Sequence, residues 1–359
     1  MRSKTPTRHI GGGWFWVTAW GLVACAAGCG GTPSVSDGWK DSAAEIAAGI
    51  TLGAEHGCVF YAFDAMAYPD AEAELTVRIL HVRKLQHVEG VTVEYFLGKQ
   101  SLGRATTDKD GYAKLKWKPP QAKAPQDHEI TAKIVAVPDD DLEEMLKATP
   151  ASLLVAVRPK DASFAVIDLD HTVVDSGFAR VLIGGAKPMP QAAKTVKELA
   201  GKYDLIYLTH RPDLLTVTSK RWLTDNGFPR APLLVSTFKQ AIGDSGEYKS
   251  ARLKQLREQY PRLEIGIGDK LSDAKAYADN GMKPYLIPHY DKDDDDDVRD
   301  MAEEVRKLKA DVQVVEGWDD IRDGVFKKKS FPPAVYAKRL DDRSRALQME
   351  KQRKKKDDD

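Results

Sequence analysis

From Ala162 to Tyr290 the chain repeats one figure: a short apolar run that stops on polar residues, followed by a longer stretch with helical spacing. The runs are "FAVIDLD" at 164–170, "DLIYLTH" at 204–210, "PLLVST" at 232–237, "EIGIGD" at 264–269 and "PYLIPH" at 284–289. Between them lie "PQAAKTVKELAGK", "DLLTVTSKRWLTDNG", "KSARLKQLREQY" and "LSDAKAYADNG". Apolar runs of this length suit strands buried on both faces of a parallel sheet, and a glycine after the helical stretch is a common C-terminal stop. The pattern predicts an α/β domain with a doubly wound parallel sheet. Such sheets bind ligands at the carboxyl ends of their strands. "FAVIDLD" is the run that needs explaining, because it drives a buried strand into Asp168 and Asp170. Two carboxylates there are costly unless a cation or a reaction uses them.

The stretch before Ala162 reads differently. "ELTVRILHV", "VTVEYFLG", "YAKLKW", "EITAKIVAV" and "SLLVAV" alternate or run apolar between polar turns, which predicts a small antiparallel β-sandwich of immunoglobulin-like type. Asp110-Gly111 is expected at a hairpin turn, and "DLEEMLKATP" as a helical interruption. The division expected is a signal segment over 1–29, a tether and lead-in over 30–73, the β-domain over 74–158, the α/β domain over 159–325 and a charged extension over 326–359. That extension is Pro-interrupted and then highly charged, so it reads as an appendage or a partly disordered tail. The net charge of zero gives no basic field for nucleic acid. The acidic run Asp291–Asp297 and the terminal "KQRKKKDDD" read as solvated loops or tails. The acidic run lacks the glycine and closing glutamate of an EF-hand loop.

The N-terminus carries a basic "MRSKTPTRH", then the apolar "WFWVTAWGLVACAAG", too short for a comfortable membrane span. "LVAC" places Cys25, and "AAGC" places Cys29, in positions that resemble the lipobox of bacterial lipoproteins. An ordinary cleaved signal and an uncleaved anchor are the alternatives. Lipid attachment at either cysteine implies a membrane-tethered protein of the cell envelope, on the outer membrane facing the periplasm if the sorting rules of Gram-negative bacteria apply. Cys58 is the only cysteine beyond this segment, so no disulfide framework is implied.

Four polar clusters follow the strands. Asp168 and Asp170 close the first, Thr209 the second, and Asp269 the fourth, with Asp273 one helical turn later; Lys249 lies near the start of the helix before that strand. Core packing does not ask for this set. The order resembles the haloacid dehalogenase superfamily, specifically its aspartate-nucleophile phosphatases: DxDxT as Asp168-Leu169-Asp170-His171-Thr172, the strand-end Thr209, Lys249, and GDxxxD as Gly268-Asp269 with Asp273. The resemblance implies that Asp168 is the nucleophile and Asp170 the general acid and base. It implies Mg²⁺ held by Asp168, the Asp170 carbonyl, Asp269 and Asp273, and phosphoryl oxygens held by Thr209 and Lys249.

About forty residues separate Thr172 from Thr209, and as many lie between Thr209 and Lys249, which leaves no room for a large cap. Within the superfamily the stretch from Phe164 to about Trp318 resembles lipin-type phosphatidate phosphatases and the C-terminal domain of phosphatidylinositol-transfer proteins. "LTHRPDLLTVTSKRWLTDNGFP" and "GIGDKLSDAKAYADNGM" carry that likeness. It implies phosphatidate or a related phospholipid as substrate, with soluble or protein phosphomonoesters, or phosphatidate binding without turnover, as alternatives. The transfer-protein relatives lack the first aspartate, which this chain keeps. His171 stands where that family has glycine.

Overall fold

The computed structural model describes residues 58–81, 86–120, 125–138, 150–182 and 185–357. Cys25, Cys29, the tether and all but Pro150 of the helical interruption expected over "DLEEMLKATP" lie outside the described residues.

The N-terminal strands are β1 (Cys58–Phe63), β2 (Ala65–Ala67), β3 (Ala73–His81), β4 (Gln86–His87), β5 (Thr92–Leu97), β6 (Gln100–Thr106), β7 (Tyr112–Trp117), β8 (Gln126–Ala136) and β9 (Ala151–Val157). One sheet joins β1, β3, β4 and β7 in antiparallel pairs. The other runs β2-β9-β8-β5-β6, with β2 parallel to β9 and the rest antiparallel. Leu75, Val77 and Ile79 of β3 meet Val93, Tyr95, Ile130, Leu153 and Val155 of the second sheet in one apolar cluster. Two features depart from the expectation. The lead-in supplies β1 and β2, so the sheets begin at Cys58. Asp110-Gly111 does turn the chain, but it joins β6 and β7, which belong to different sheets, so it is no hairpin. Gly111 has φ of 77°, and a Cβ there would meet the Ile79 carbonyl at 2.4 Å, so only glycine lets the arch pass so close to β3.

The outer face of the first sheet is buried as well. Side chains alternate across a strand. Tyr61 and Leu80 therefore point away from the sandwich and into the largest cluster of the C-terminal half. Just past the end of β1 lies Asp64, whose side chain is only 3% exposed and which ties three segments together. Its Oδ1 accepts from Leu154 N at 2.7 Å and Lys220 Nζ at 2.6 Å, and its Oδ2 from Leu233 N at 2.9 Å. Arg158 adds pairs to Asp127 at 2.7 Å and Asp204 at 2.5 Å.

The C-terminal half contains β10 (Phe164–Ile167), α1 (Phe178–Leu182), α2 (Ala192–Ala200), β11 (Asp204–Pro212), a 3-10 turn at Asp213–Leu215, α3 (Thr216–Asp225), β12 (Leu233–Ser236), α4 (Phe238–Ala241), α5 (Ser245–Gln259), β13 (Leu263–Gly268), α6 (Leu271–Asp279), β14 (Lys283–Leu286), α7 (Asp295–Arg306), β15 (Gln313–Val314), α8 (Trp318–Phe326) and α9 (Pro333–Asp357). The strands form a parallel sheet in the order β12-β11-β10-β13-β14-β15. Ala165, Ile167, Tyr207 and Ile267 pack on one face with residues of α2, α3 and α8. Phe164, Val166, Ile206 and Leu208 pack on the other with α5 and α6. Among the described residues between Thr172 and Thr209 there are α1, α2, the start of β11 and one bridge from Val174 to Pro188, and no separate folded unit over the strand ends. No described helix is long and apolar enough to cross a membrane.

The charged segments are helical or cap helices, yet they stay mostly in solvent: of residues 291–297 only Asp295 is buried. Asp294 caps α7, its carboxylate accepting from Asp296 N at 2.8 Å and Asp297 N at 3.3 Å, and Asp295 to Asp297 sit in the first turn. Negative charge is favourable at that end of a helix. The extension forms α9, which lays Tyr336, Ala337, Leu340 and Leu347 on Val298, Ala302 and Val305 of α7. Ser344 donates to the buried Asp295 at 2.5 Å, and Arg343 pairs with Asp293 at 2.9 Å.

Candidate functional site

β10 delivers the first aspartate and then stops. The Asp168 N–H still donates to the Ile267 carbonyl at 2.9 Å, continuing the sheet, while the Leu169 carbonyl accepts from Thr172, Val173 and Val174 and closes a tight turn. Leu169, fully buried, anchors that turn. His171 sits within it at φ of 51°, the left-handed region, which accounts for glycine being at home there. Because the strand ends at Ile167, Asp168 and Asp170 do not share an extended face as alternate strand residues would. Each has its own cationic partner.

Asp168 is buried and lies 3.0 Å, through Oδ1, from Nζ of Lys249. The same ammonium is 2.7 Å from Asp273 Oδ1. Lys249 stands in the second turn of α5, whose N-cap Asp244 accepts from Glu247 N at 2.8 Å. Asp273 comes from the first turn of α6, and Asp269 from the residue after β13. Carboxylate oxygens of Asp168, Asp269 and Asp273 all lie within 4.8 Å of one another. Two glycines of β13 make this approach possible. A Cβ on Gly268 would fall 2.6 Å from Asp273 Oδ2, and one on Gly266 would fall 2.2 Å from the Tyr277 ring.

Burial pushes the Asp168 carboxyl up to about 6; Lys249 pulls it down, and Asp273 and Asp170 push it further up. Asp269 is raised well above the carboxylate range by burial and by Asp168 and Asp273. Burial opposes the charge on Lys249, yet Asp168 and Asp273 hold its pKa above the ordinary value. Three buried carboxylates thus share one directly paired ammonium, that of Lys249, with Lys270 acting without a direct ion pair, and Asp269 Oδ1 and Asp273 Oδ2 have no hydrogen-bond partner. An excess of oxygen donors, hard and unsatisfied, is the setting a small divalent cation such as Mg²⁺ requires, so the residues fit that ion.

Asp170 is gripped by Arg211, a residue of the Thr-x-Arg-Pro-Asp run to which the sequence alone assigns no role. Arg211 Nε donates to Asp170 Oδ2 at 2.8 Å and Nη2 to Oδ1 at 2.5 Å, a two-point contact of the kind guanidinium groups make with carboxylates. Its remaining nitrogen donates to Ser219 at 2.9 Å, and its guanidinium carbon lies 4.3 Å from the centre of the Phe178 ring. Thr209 is buried beside it, its Oγ1 accepting from Arg211 N at 3.3 Å.

Asp168, Asp170, Thr209, Lys249 and Asp269 line one cleft of about 840 Å³, with Asp273 beneath it. His171 and His289 form one edge, their rings 4.0 Å apart between centres. Lys270, Tyr290, Asp291 and Asp297 reach the same opening, so the acidic run borders the site. The one sequence signal for His289 is its place after the fifth apolar run, and a single histidine there carries no chemistry by itself.

No curated protein matches the chain. Among solved structures, a CARDB domain from Pyrococcus furiosus is 14% identical, with 28% of this chain and 84% of that chain covered and a TM-score of 0.19. The N-terminal Ig1-2 module of a Drosophila receptor protein tyrosine phosphatase is 10% identical over 33% of this chain and 64% of that one, with a TM-score of 0.20. A Parabacteroides merdae β-glucuronidase is 11% identical over 72% and 34%, with a TM-score of 0.26. Scores this low carry no argument. The informative match is local: residues 165–287, which hold Asp168, Asp170, Thr209, Lys249, Asp269 and Asp273, are similar to the family described as "PITM 1-3, LNS2 domain", a lipin-like and haloacid dehalogenase-like fold.

Proposed function

We propose that the chain is a Mg²⁺-dependent phosphatase that hydrolyses a phosphomonoester through an aspartyl-phosphate on Asp168, with phosphatidate or a related phospholipid as substrate. The observation that carries this reading is the buried Asp168–Lys249–Asp273 contact, in which a carboxylate at a strand end is flanked by an ammonium and by acidic groups with unsatisfied oxygens. A plain structural salt bridge has no need of the second and third carboxylates.

In this mechanism an Asp168 oxygen attacks phosphorus, the bond from phosphorus to the ester oxygen breaks, and Asp170 delivers the proton that oxygen requires. Asp170 then takes a proton from water, which attacks the aspartyl-phosphate, frees inorganic phosphate and restores Asp168. Thr209 and Lys249 hold the non-bridging oxygens, where charge must be stabilised. Arg211 keeps Asp170 oriented beside the cleft. Asp168, the Asp170 carbonyl, Asp269 and Asp273 would hold Mg²⁺, and the ion would supply charge neutralisation between an anionic nucleophile and an anionic substrate.

The similarity of residues 165–287 to an LNS2 domain and the absence of a separate cap among the described residues support a substrate presented at a surface. Lipid attachment through Cys25 or Cys29, and with it a place on the outer membrane facing the periplasm, belongs to the same proposal. The test is phosphate release with Mg²⁺ from phosphatidate in mixed micelles, beside soluble phosphomonoesters, for the wild type, Asp168→Asn and Asp170→Asn. Release from phosphatidate that both substitutions abolish is the expected result. Release that survives Asp168→Asn would remove the nucleophile, and phosphatidate binding without any release would leave a binding domain.

A further inference from the structure

The end of β11 that carries Thr209 and Arg211 is held from outside its own domain. Between Leu208 and Pro212 the pairing of β11 with β12 shifts its register and resumes at Pro212 with Ser236, so regular ladder pairing does not hold the residues in between. Ser236 Oγ donates to the His210 carbonyl at 2.7 Å and the Arg211 carbonyl at 3.0 Å. The other fixed point is Asp213, which closes the Thr-His-Arg-Pro-Asp run and is completely buried. Its Oδ2 accepts from Nη1 of Arg78 at 2.6 Å, and its Oδ1 from Leu214 N at 3.0 Å.

Arg78 belongs to β3, in the first sheet of the N-terminal domain, on the face turned away from the sandwich. Its own position is set within that domain. Nη2 lies 3.2 Å from His87 Nδ1, Nε reaches the Asp110 carbonyl at 3.4 Å, and the guanidinium carbon is 4.6 Å from the centre of the Tyr112 ring. A cation fixed in one domain therefore neutralises a buried carboxylate two residues beyond Arg211, the group that grips Asp170. Without Arg78 the buried Asp213 would either take up a proton or turn toward water, and the short Arg211-Pro212-Asp213 link would pass that change on to Arg211.

We propose that Arg78 is a positioning residue for the phosphate end of the cleft, so that the β-domain, through the buried Arg78–Asp213 pair, sets where Thr209 and Arg211 stand. This rests on the reading of the cleft as a phosphate site. It also gives the N-terminal domain a part in the chemistry beyond that of a spacer.

The experiment uses the full chain in detergent with Mg²⁺. Inorganic phosphate affinity is measured by calorimetry and p-nitrophenyl phosphate turnover by absorbance, at a temperature where near-UV circular dichroism shows every variant folded. Arg78→Gln and Asp213→Asn are each expected to weaken phosphate binding and lower kcat by about tenfold or more, in the range found for residues that orient a functional shell. The double variant, which leaves no lone buried charge, recovers most of both losses, so the effects are non-additive. Should Arg78→Gln fail to fold, Arg78→Lys keeps the charge but loses the planar fork, and an intermediate loss is expected. A lowered melting temperature with affinity and kcat within about twofold of wild type would reduce the pair to a purely structural one. Phosphate binding without turnover in the wild type would defeat the phosphatase reading while the affinity comparison still judged Arg78. A wild type that binds no phosphate would overturn both.

Discussion

Removing Mg²⁺ should make this protein less stable as pH rises, through the residue proposed as nucleophile. The Asp168 carboxyl is raised from the ordinary 3.8 to about 6 in the folded chain. The folded state thus binds this proton more tightly than the unfolded chain does. The resulting stabilisation is fully present below the unfolded value and is lost as pH climbs through the folded one. At about 1.4 kcal/mol for each pH unit, the rise amounts to about 3 kcal/mol, lost between roughly pH 4 and pH 7. Asp269, raised as well, shares the site, so the change belongs to the two carboxyls together rather than to one. Urea unfolding followed by tryptophan fluorescence, in EDTA from pH 4 to 8, measures it, with Asp168→Asn as the reference chain. The difference between the two chains should fall by about 3 kcal/mol across that window. Mg²⁺ at about a hundred times its dissociation constant should then restore roughly 2.7 kcal/mol at pH 8 and less at pH 5, where protons compete for the same oxygens. A difference curve flat within about 1 kcal/mol from pH 4 to 8, beyond the uncertainty of extrapolation, would refute the argument.

Two other changes follow from packing. Gly268→Ala should lower Mg²⁺ affinity about tenfold or more, because the new methyl group displaces Asp273; calorimetric titration of Mg²⁺ reads it, and an unchanged affinity would show that Asp273 holds no ion. Ending the chain after Pro332 removes Tyr336, Leu340 and Leu347, each worth roughly 1.5–3 kcal/mol when buried, from the surface of α7. After the ordering entropy of the helix is discounted, a loss on the order of 5 kcal/mol is expected, seen as a melting temperature lower by about 10–20 °C; an unaltered melting curve would mean that α9 contributes no packing.

The strand-end residues are legible in the sequence because each closes a run whose composition already demands burial. Asp168, Thr209 and Asp269 stand out as polar residues where packing calls for none, and the parallel order of the strands follows from the helices between them. Arg211 is not legible as a partner of Asp170, since an arginine near a strand end is common and the contact depends on an irregular register between β11 and β12. β6 escapes the alternating pattern because "QSLGRAT" has few apolar residues, is largely exposed and includes a glycine at φ of 135°. β1 and β2 look like a lead-in, although Tyr61 and Asp64 join the two halves of the molecule. α9 resembles a tail because its apolar residues are sparse among charges, and only the matching groove on α7 gives them a partner.

The two glycines of β13 also bear on how this sequence can drift. At Gly266 a side chain is excluded by the Tyr277 ring, and at Gly268 by the Asp273 carboxylate. The first exclusion can be lifted by a paired exchange, a larger residue at 266 with a smaller one at 277, at the loss of one hydrogen bond, from the Tyr277 hydroxyl to the Ile267 carbonyl at 3.3 Å. The second cannot, since trading away Asp273 would also surrender an oxygen of the acidic set. One strand therefore contains a position open to compensated change and, two residues on, a position closed to it.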